Sequence, residues 1–381
     1  MSKPLVFFSG LLLPPSETFI RAQGEGLQQF TPYYVGSRLV KGLSLPSDRT
    51  FVVNQGGSVG AAKEVLFKQL GTAPSLYHQL QQIQPALIHA HFGVCGALAL
   101  PLVRTLKLPL VVTFYGLDAT MKDDYARRNS ITTRVYLRRR EALKREATLF
   151  IAVSDFIKEK LLEQGFPQEK VVSHYYGVNT EVFQPAPDVP REPVVLFVGR
   201  LAEKKGCEYL IQAMAKVQAQ MPEVELAIVG DGPLRLQLEE LAAKSLKRYK
   251  FLGLQPPEVV KSWMNRSLLL AAPSVTASTG DSEGLPTVVV EAQAMGLPVV
   301  GSVHAGIPQA VVHGETGFLA AERDWKSLAE HILRLLQDPM LWQSFSRNGQ
   351  QRMRNLFDLH KQTQALEGIY KAVLQEEEVR T

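Results

Sequence analysis

The chain has 381 residues, of which 45% are hydrophobic and 21% charged, and its formal net charge is +5. This length favours two hydrophobic cores, and these fractions, with 28 glycines and 23 prolines, exclude disordered and fibrous proteins. The two cysteines, Cys95 and Cys207, lack metal-type spacing, which predicts a reducing compartment and no disulfide framework.

The N-terminal segment MSKPLVFFSG is predicted to hold a buried strand, LVFFSG (5–10), rather than a signal peptide. Lys3 precedes an apolar run, but Pro4 and Gly10 interrupt it and no small-residue cleavage site follows. No apolar run in the chain reaches the roughly 18 residues of a membrane span. A cytoplasmic location is therefore expected.

Short apolar or β-branched runs alternate with amphipathic segments through the first half. This alternation predicts a parallel sheet with crossover helices. The further predicted strands are ALIHAHF (86–92), LPLVVTFYG (108–116), TLFIAVS (148–154) and VVSHYYG (171–177).

Positive charge is concentrated in this half. Residues 1–185 hold 21 lysines and arginines against 14 acidic residues, whereas the remainder holds 21 against 23. In the segment RVYLRRREALKREATLF (134–150), five basic residues cluster on a predicted helix: Arg138, Arg139, Arg140, Lys144 and Arg145. It is either a solvated helix face or a surface held against anionic lipid headgroups. Nucleic-acid binding is not expected, because no aromatic platform or base-reading motif accompanies the patch.

A second set of strands follows the segment FQPAPDVPREP (183–193), whose four prolines predict an interdomain linker. The segment 340–375 is predicted to be helical. The strands predicted in this half are VVLFVG (194–199), VELAIVG (224–230), YKFLG (249–253), SLLLAAP (267–273) and PVVGS (298–302).

These patterns predict two doubly wound, Rossmann-like α/β domains that face each other across a cleft. We expect an N-terminal domain over 1–185, a C-terminal domain over 186–355, and a final helix over 356–381 that packs toward the N-terminal domain. Ligands of such folds bind beyond the carboxyl ends of the strands, so the loops at those ends are the candidate site.

The first candidate loop lies in VVLFVGRLAEKKG (194–206), where Arg200 and Lys205 follow a buried strand. A guanidinium fork and an ammonium at one strand-to-helix corner are suited to neutralising a diphosphate.

The second candidate loop is SEGLPTVVVEA (282–292). Pro286 fits the first turn of a helix, and the free N–H groups over 285–288 would form an anion site. Glu283 and Glu291 could each accept from two vicinal hydroxyls, which with a phosphate between them predicts a nucleotide sugar. The alternative is a helix-surface role for Glu291 and a dipole-complementing role for Glu283.

The motifs in these loops resemble the retaining GT-B glycosyltransferases of family 4, the glycosyl transferases group 1. The resemblance covers nearly the whole chain and is denser in the second half. The looser first-half motifs resemble those of members that build bacterial surface polysaccharides. The matching segments are GRLAEKKG (199–206), VGDGP (229–233), FLG (251–253), EGLPTVVVEAQAMGLPVV (283–300) and AGIPQAVVHGETGFL (305–319), with SETFIRAQ (16–23), HAHFG (89–93), AVSDFIKEKL (152–161) and YYGVNTEVFQP (175–185).

The resemblance implies donor-site roles in the second half. Arg200 and Lys205 would bind the diphosphate and stabilise the departing nucleotide. Glu291 would hold the ribose hydroxyls and Glu283 those of the transferred sugar. The segment implied beside the sugar and phosphate is Gly284, Leu285, Pro286 and Thr287, and the segment beside the base is Gly253, Leu254 and Gln255.

In the first half, TFYGLDA (113–119) departs from the family pattern, because Tyr115 stands where many relatives carry a histidine before the glycine. Asp118 of the motif is retained, and we expect it to contact the donor. A tyrosine, with an ordinary pKa near 10, can hydrogen-bond a sugar hydroxyl but is a poor base at pH 7. The alternative is a packed strand-end aromatic residue. A front-face transfer tolerates this change, because the leaving phosphate oxygen can act as the base.

Three further positions of the first half are ambiguous. His91 ends its strand at the predicted cleft, where we expect it to contact donor or acceptor, and His89 lies on the same strand face. For either residue the alternative, and the commoner case, is a core histidine whose ring nitrogens are satisfied within the protein. The segment 16–18, Ser-Glu-Thr, either contacts a substrate or begins a helix.

Taken together, the chain is predicted to be a metal-independent retaining hexosyltransferase that uses a UDP- or GDP-linked donor and no cofactor. No Asp-x-Asp metal motif is present. A lipid-linked or surface glycan is the expected acceptor, favoured by the basic first half and the apolar loop LLLPP (11–15). The alternatives are a nucleotide-sugar epimerase and a non-catalytic sugar-nucleotide-binding subunit. An oxidoreductase is not expected, because no G-x-G-x-x-G follows a predicted strand.

Overall fold

The computed structural model describes residues 2–14, 16–186 and 188–380. The chain divides into two compact units, each built on one parallel sheet. The first unit runs to Gly177 and takes in the chain again from Leu359, and the second runs from Val178 to Asp358.

The first unit has a seven-stranded sheet with helices in its connections. Its strands are β1 (Lys3–Leu12), β2 (Phe30–Leu39), β3 (Thr50–Asn54), β4 (Ile88–His91), β5 (Leu110–Phe114), β6 (Leu149–Ala152) and β7 (Val171–Ser173). Its helices before the second unit are α1 (Thr18–Gly26), α2 (Gly57–Leu70), α3 (Pro74–Ile83), α4 (Gly93–Leu106), α5 (Leu117–Thr120), α6 (Asp123–Asn129), α7 (Ile131–Glu146) and α8 (Asp155–Glu163).

The second unit has a six-stranded sheet. Its strands are β8 (Val194–Val198), β9 (Glu225–Val229), β10 (Tyr249–Phe251), β11 (Leu269–Ala272), β12 (Val299–Ser302) and β13 (Gly317–Ala320). The helices are α9 (Cys207–Gln220), α10 (Arg235–Ser245), α11 (Pro257–Arg266), α12 (Thr287–Ala294), α13 (Ile307–Ala310), α14 (Trp325–Gln337) and α15 (Pro339–Leu356), and α16 (Leu359–Arg380) returns to the first unit.

Each sheet reverses its strand order once. The order is β3-β2-β1-β4-β5-β6-β7 in the first sheet and β10-β9-β8-β11-β12-β13 in the second. The reversal lies between β1 and β4 in one and between β8 and β11 in the other. Helices leave to opposite faces at such a switch point, which opens a crevice at the carboxyl ends of the two strands.

Three strands were missed from the sequence. Pro32 and Gly36 lie within β2, and both residue types count against a strand assignment. β3 and β13 are edge strands, and β3 is only half-buried along its length. β13 is buried but has only four residues, so sequence alone detects both edge strands poorly.

The segment 340–375 is helical as predicted, and it consists of the two helices α15 and α16. Two other expectations need correction. The loop predicted at 11–15 is largely strand and core, since β1 extends to Leu12 and the side chains of Leu12 and Leu13 are buried; Pro15 lies outside the described residues. The predicted linker packs onto the second unit, where Arg191 donates to the carbonyls of Met264 and Ser267.

Of the helices within the described residues, none combines the length and apolarity that crossing a bilayer requires. Both cysteines, Cys95 and Cys207, are buried free thiols.

The last helix completes the core of the first unit. Tyr370 of α16 is fully buried, and its hydroxyl lies 2.6 Å from Nδ1 of His89. Nε2 of the same ring lies 2.6 Å from Oγ1 of Thr113. Both nitrogens of His89 therefore have partners, as expected of a core histidine. Nearby, the carboxylate of Glu367 accepts the backbone N–H groups of residues 28 and 29.

We predict that Tyr370→Phe destabilises the first unit. The substitution leaves a buried imidazole nitrogen without a partner, at a cost of about 1–3 kcal/mol. Hydrogen–deuterium exchange of peptides covering β4 and β5 should accelerate, whereas exchange in β8 and β9 should stay unchanged. Equal protection of β4 and β5 in both proteins would contradict the prediction.

Candidate functional site

The switch point of the second unit brings together the two loops predicted to bind a ligand. The loop after β8 holds Arg200, Lys204 and Lys205, and the loop after β11 leads to Glu283. Because β8 and β11 are neighbours in the sheet, these loops leave the same edge side by side.

Close backbone contacts hold the two loops against each other. Gly206 has a φ of +60°, and a Cβ there would lie 2.0 Å from the carbonyl oxygen of Pro273. Only glycine fits this position. The N–H of Val275 donates to the carbonyl of Lys204 at 2.8 Å, and the Lys204 ammonium lies 2.9 Å from Asp281.

Lys205 and Glu283 form an ion pair at the centre of this arrangement. Nζ of Lys205 lies 2.6 Å from Oε1 of Glu283, whose exposed fraction is only 6%. Burial by itself would raise the pKa of Glu283, but the ammonium groups of Lys205 and Lys204 lower it to about 2. Glu283 is therefore an anion at neutral pH. The structure thus brings together two residues that the sequence assigned to different parts of the ligand.

A histidine that sequence reasoning missed positions Glu283. The N–H of Glu283 donates to Nε2 of His304 at 3.1 Å, so the ring hydrogen lies on Nδ1, which is 2.6 Å from Oε1 of Glu322. The Glu322 carboxylate also accepts from the backbone and hydroxyl of Thr276. His304 directly precedes the AGIPQ motif (305–309), and nothing in the spacing linked it to Glu283.

The segment after Glu283 presents backbone donors. The sequence placed Pro286 in the first turn of α12, but the helix begins one residue later, and the Pro286 carbonyl accepts the N–H of Val289 at 3.1 Å. Within the described residues, the N–H groups of Gly284, Leu285, Thr287 and Val288 have no acceptor. Unpaired N–H groups at a helix N-terminus favour an anion.

Glu291 lies on the same helix, half-buried, and its carboxyl group contacts no donor among the residues that the structure describes. Burial raises its pKa to about 7. A half-buried carboxyl group without a protein partner is suited to accept hydroxyl groups from a ligand. The half-burial of Glu291 also distinguishes it from the exposed helix-surface residue of the alternative interpretation.

The other predicted donor-site residues of the second unit are exposed to solvent or follow the end of β10. Arg200 is exposed, and the side chain of Leu254 is 80% exposed. Gly253 accepts the N–H of Gly230 through its carbonyl at 2.8 Å, and Gln255 donates to the carbonyl of Leu252.

The switch point of the first unit holds a second polar cluster. Glu17 follows β1, and His91 ends β4. Oε2 of Glu17 and Nε2 of His91 are buried and have no hydrogen-bond partner in the described part of the chain. Burial raises the pKa of Glu17 to about 8 and lowers that of His91 to about 3. Both groups are thus mostly neutral at pH 7.

Tyr115 joins this cluster through its hydroxyl, which lies 2.8 Å from Nδ1 of His91. Its ring packs against Phe19 and Phe92, with centroids 5.0 and 4.8 Å away. Burial, reinforced by Tyr370 and Glu17, raises the pKa of Tyr115 well above its ordinary value. Tyr115 is thus both a packed aromatic residue and a hydrogen-bonding neighbour of His91.

Asp118 has a local structural role. Its carboxylate accepts the backbone N–H groups of Gly93, Tyr115 and Gly116 at 2.8–3.1 Å. These bonds fix the ends of β4 and β5 relative to each other. The buried carboxylate is occupied by them, which does not fit the predicted direct contact with a donor.

Comparison with known protein families identifies relatives of both units. Residues 44–182 match the model of Glycosyltransferase Family 4, and residues 179–352 match that of Glycosyl transferases group 1. The amylovoran biosynthesis glycosyltransferase AmsK of Erwinia amylovora is 34% identical over 65% of this chain and 60% of its own length. The putative colanic acid biosynthesis glycosyltransferase WcaL of Escherichia coli K12 is 30% identical over 64% and 59%. The matched part thus spans about 60% of these relatives.

Solved structures share the fold at lower identity. Sucrose-phosphate synthase from Thermosynechococcus elongatus is 23% identical, with a TM-score of 0.79 over 98% of this chain and 100% of its own. Anabaena HepE, solved with UDP and glucose, is 22% identical, with a TM-score of 0.75 over 97% and 100%. The predicted GT-B fold of two Rossmann-like sheets is confirmed.

The Lys205–Glu283 pair predicts a pH-dependent stability of the second unit. The lowered pKa of Glu283 stabilises the fold fully above pH about 4.5, and this contribution is lost as the pH falls through about 2. We expect Lys205→Met to reduce the free energy of unfolding at pH 7 by about 3 kcal/mol, because a buried carboxylate loses its nearest counter-charge. The free energy of unfolding can be measured by urea titration with tryptophan fluorescence as the signal, since Trp263, Trp325 and Trp342 all lie in the second unit.

The matched control is Lys216→Met, which removes an exposed ion pair with Glu330. We expect it to change stability by less than about 1 kcal/mol. Equal losses of unfolding free energy in the two variants would show that the Lys205–Glu283 pair stabilises the fold no more than an exposed ion pair does.

The position of His304 gives a further prediction. His304→Leu leaves the N–H of Glu283 without an acceptor, and we expect it to destabilise the second unit by about 1–3 kcal/mol. In His304→Gln, the amide can accept from Glu283 and donate to Glu322, so at least half of the loss should be recovered. The same fluorescence measurement tests both variants, and identical stabilities would contradict the positioning role.

Proposed function

The chain belongs to the GT4 glycosyltransferases, the glycosyl transferases group 1, and from this premise we propose that it is a retaining hexosyltransferase. It moves a hexose from a nucleoside-diphosphate sugar to a hydroxyl acceptor. The observation that carries the proposal is the Lys205–Glu283 pair at a switch point, next to unpaired N–H groups of α12.

In this proposal the second unit binds the donor by charge and hydroxyl recognition. The free N–H groups of Leu285 and Thr287, with the side chains of Arg200 and Lys205, bind the diphosphate. Glu291 accepts from the ribose hydroxyls, and Glu283 accepts from hydroxyls of the hexose. The exposed segment 253–255 contacts the base. Arrival of the diphosphate gives Lys205 a second anionic partner and frees lone pairs of Glu283 for the sugar.

The transfer step follows from these positions. The bond between the anomeric carbon and the diphosphate oxygen breaks, and its electron pair leaves with the diphosphate. The acceptor oxygen bonds to the same face of the anomeric carbon, and its proton passes to the leaving phosphate oxygen. Arg200 and Lys205 stabilise the negative charge that develops, which is an electrostatic contribution of the kind worth 10²- to 10³-fold in rate, roughly.

The first unit contributes hydrogen bonds rather than a strong base. His91 is neutral at pH 7 because burial lowers its pKa to about 3. Its Nε2 is buried without a partner in the described part of the chain, and we assign it to a hydrogen bond with a substrate hydroxyl once a substrate opens access to it. Tyr115 orients the ring through Nδ1. The raised pKa of Tyr115 excludes it as a base at pH 7, so we assign it to positioning and Asp118 to holding the loop.

We extend the proposal to the substrates. A UDP- or GDP-linked hexose is the donor, and UDP-glucose is the first to test because HepE was solved with UDP and glucose. A lipid-linked or surface glycan is the acceptor, supported by the polysaccharide-biosynthesis names of AmsK and WcaL. A location at the cytoplasmic face of a membrane belongs to the same proposal, and the buried free thiols support a reducing compartment.

The first experiment presents UDP-, GDP- and ADP-sugars to the full chain in the presence of EDTA. Calorimetry follows binding, and a coupled assay follows nucleotide release. We expect one donor to bind and to be hydrolysed slowly without a metal ion. Glu283→Gln should slow nucleotide release by roughly 10²-fold. Glu291→Gln should weaken donor binding about tenfold. The matched control is Glu330→Gln, which changes an exposed glutamate and should alter neither quantity.

The other outcomes separate the alternatives. Epimerised nucleotide sugar without an acceptor would identify an epimerase. Tight binding without turnover, even with glycan acceptors added, would identify a sugar-nucleotide-binding subunit. Failure to bind any nucleotide would overturn the proposal.

A further inference from the structure

Helix α2 exposes apolar side chains on the face that turns away from the sheet. Its buried side is formed by Gly60, Glu64 and Phe67. On the outer side, Val59 is 66% exposed and Leu70 is 68% exposed. Outer faces of surface helices are ordinarily polar. The exposed Lys63 also lies on this side, so the exposed face is largely apolar with one basic residue.

The exposed side chains form a line. Val59, Ala62, Leu66 and Leu70 follow each other at intervals of three or four residues, which places them on one helix face. With a rise of about 1.5 Å per residue, the stripe is roughly 16 Å long. Val65 lies beside it and is 47% exposed. A stripe of this length lying flat buries a useful apolar area in a bilayer interface.

A basic groove adjoins the end of this stripe. Arg138 donates to the side-chain oxygen of Gln69, and Arg139 donates to the Gln69 carbonyl at 2.9 Å, so α7 packs against the last turn of α2. The groove has a volume of about 620 Å³. Its walls are formed by Gln69, Arg127, Ile131, Arg134, Leu137 and Arg138. We call the stripe and the groove together the α2–α7 surface.

The arginines of this surface carry uncompensated charge. Within the described residues, Arg134 and Arg138 are exposed and form no ion pair, and the same holds for Arg128 of α6 next to this surface. Arg127 pairs with Asp124, at 3.0 Å. The other acidic residues of α6 and α7 are taken up elsewhere: Asp123 pairs with Arg140, Glu141 with Lys144, and Glu146 with Arg104.

We propose that the α2–α7 surface binds the headgroup and interface region of an anionic phospholipid bilayer. The stripe inserts among the acyl-chain ends, and Arg134 and Arg138 contact lipid phosphates. Charge complementarity selects this occupant, because an apolar stripe bordered by unpaired arginines matches apolar chains bordered by anions. A second copy of the same surface would bring like charges together. The inference deepens the membrane location within the proposed function and assigns it to named residues.

Vesicle co-sedimentation of the full chain tests the proposal without any sugar donor. We expect binding to vesicles of phosphatidylcholine with phosphatidylglycerol, weak binding to phosphatidylcholine alone, and release at about 0.5 M salt, where screening is strong. The double variant Arg134→Gln/Arg138→Gln should bind roughly 25-fold more weakly. The double variant Leu66→Ser/Leu70→Ser should bind these vesicles at least about tenfold more weakly.

Matched controls come from the second unit. Leu236→Ser changes a leucine that is 75% exposed, and Arg347→Gln changes an exposed arginine. Both should bind vesicles like the unmodified protein. Because all the substituted side chains are exposed, far-UV circular dichroism should show an unchanged fold. Donor hydrolysis should also be unchanged, which separates failure of this inference from failure of the proposed function.

Three results would overturn the proposal. The first is no binding to anionic vesicles. The second is equal binding of the double variants and the controls. The third is a concentration-dependent dimer in ultracentrifugation that Leu66→Ser/Leu70→Ser abolishes, because the surface would then be covered by a second copy.

Discussion

The buried ion pair between Lys205 and Glu283 is the contact on which the second unit's site depends. A carboxylate with so little exposure stays ionised because the Lys205 ammonium pairs with it and the charge of Lys204 lies nearby. Lys205 reaches it because Gly206 allows the β8 loop to lie against the backbone at Pro273. His304 then fixes the amide of Glu283 from the other side. Charge, loop packing and hydrogen bonding therefore constrain one another, and each requires the strand order that brings β8 beside β11.

Much of this site could be predicted from the sequence, because its residues lie at the ends of strongly apolar strands. Arg200, Lys205, Glu283 and Glu291 occur where buried strands turn into helices, and a parallel sheet gathers such positions at one edge. The strand β13 was missed because its buried run is only four residues long, and β2 and β3 were missed for the converse reason. A proline inside a strand, or half-buried edge residues, leaves little periodic signal to detect.

The sequence could not reveal which polar groups satisfy each other. His304 and Glu283 are far apart along the chain, and only the fold joins them. Asp118 carries a family motif, yet its oxygens are used by three backbone donors. Glu17 occurs in a segment that does begin a helix, but the buried, unpaired oxygen of its side chain depends on how β1 and β4 pack. Such facts follow from burial and contact, which no local pattern encodes.

The return of α16 to the first unit has a consequence for biosynthesis. The first unit is discontinuous in sequence, since its core closes with Tyr370 on His89. During translation from the N-terminus, the strands of this unit emerge long before their last helix does. The second unit is continuous and can complete its own core earlier. The first unit must therefore wait until α16 has been synthesised, and until then the apolar surface that α16 covers is available to chaperones.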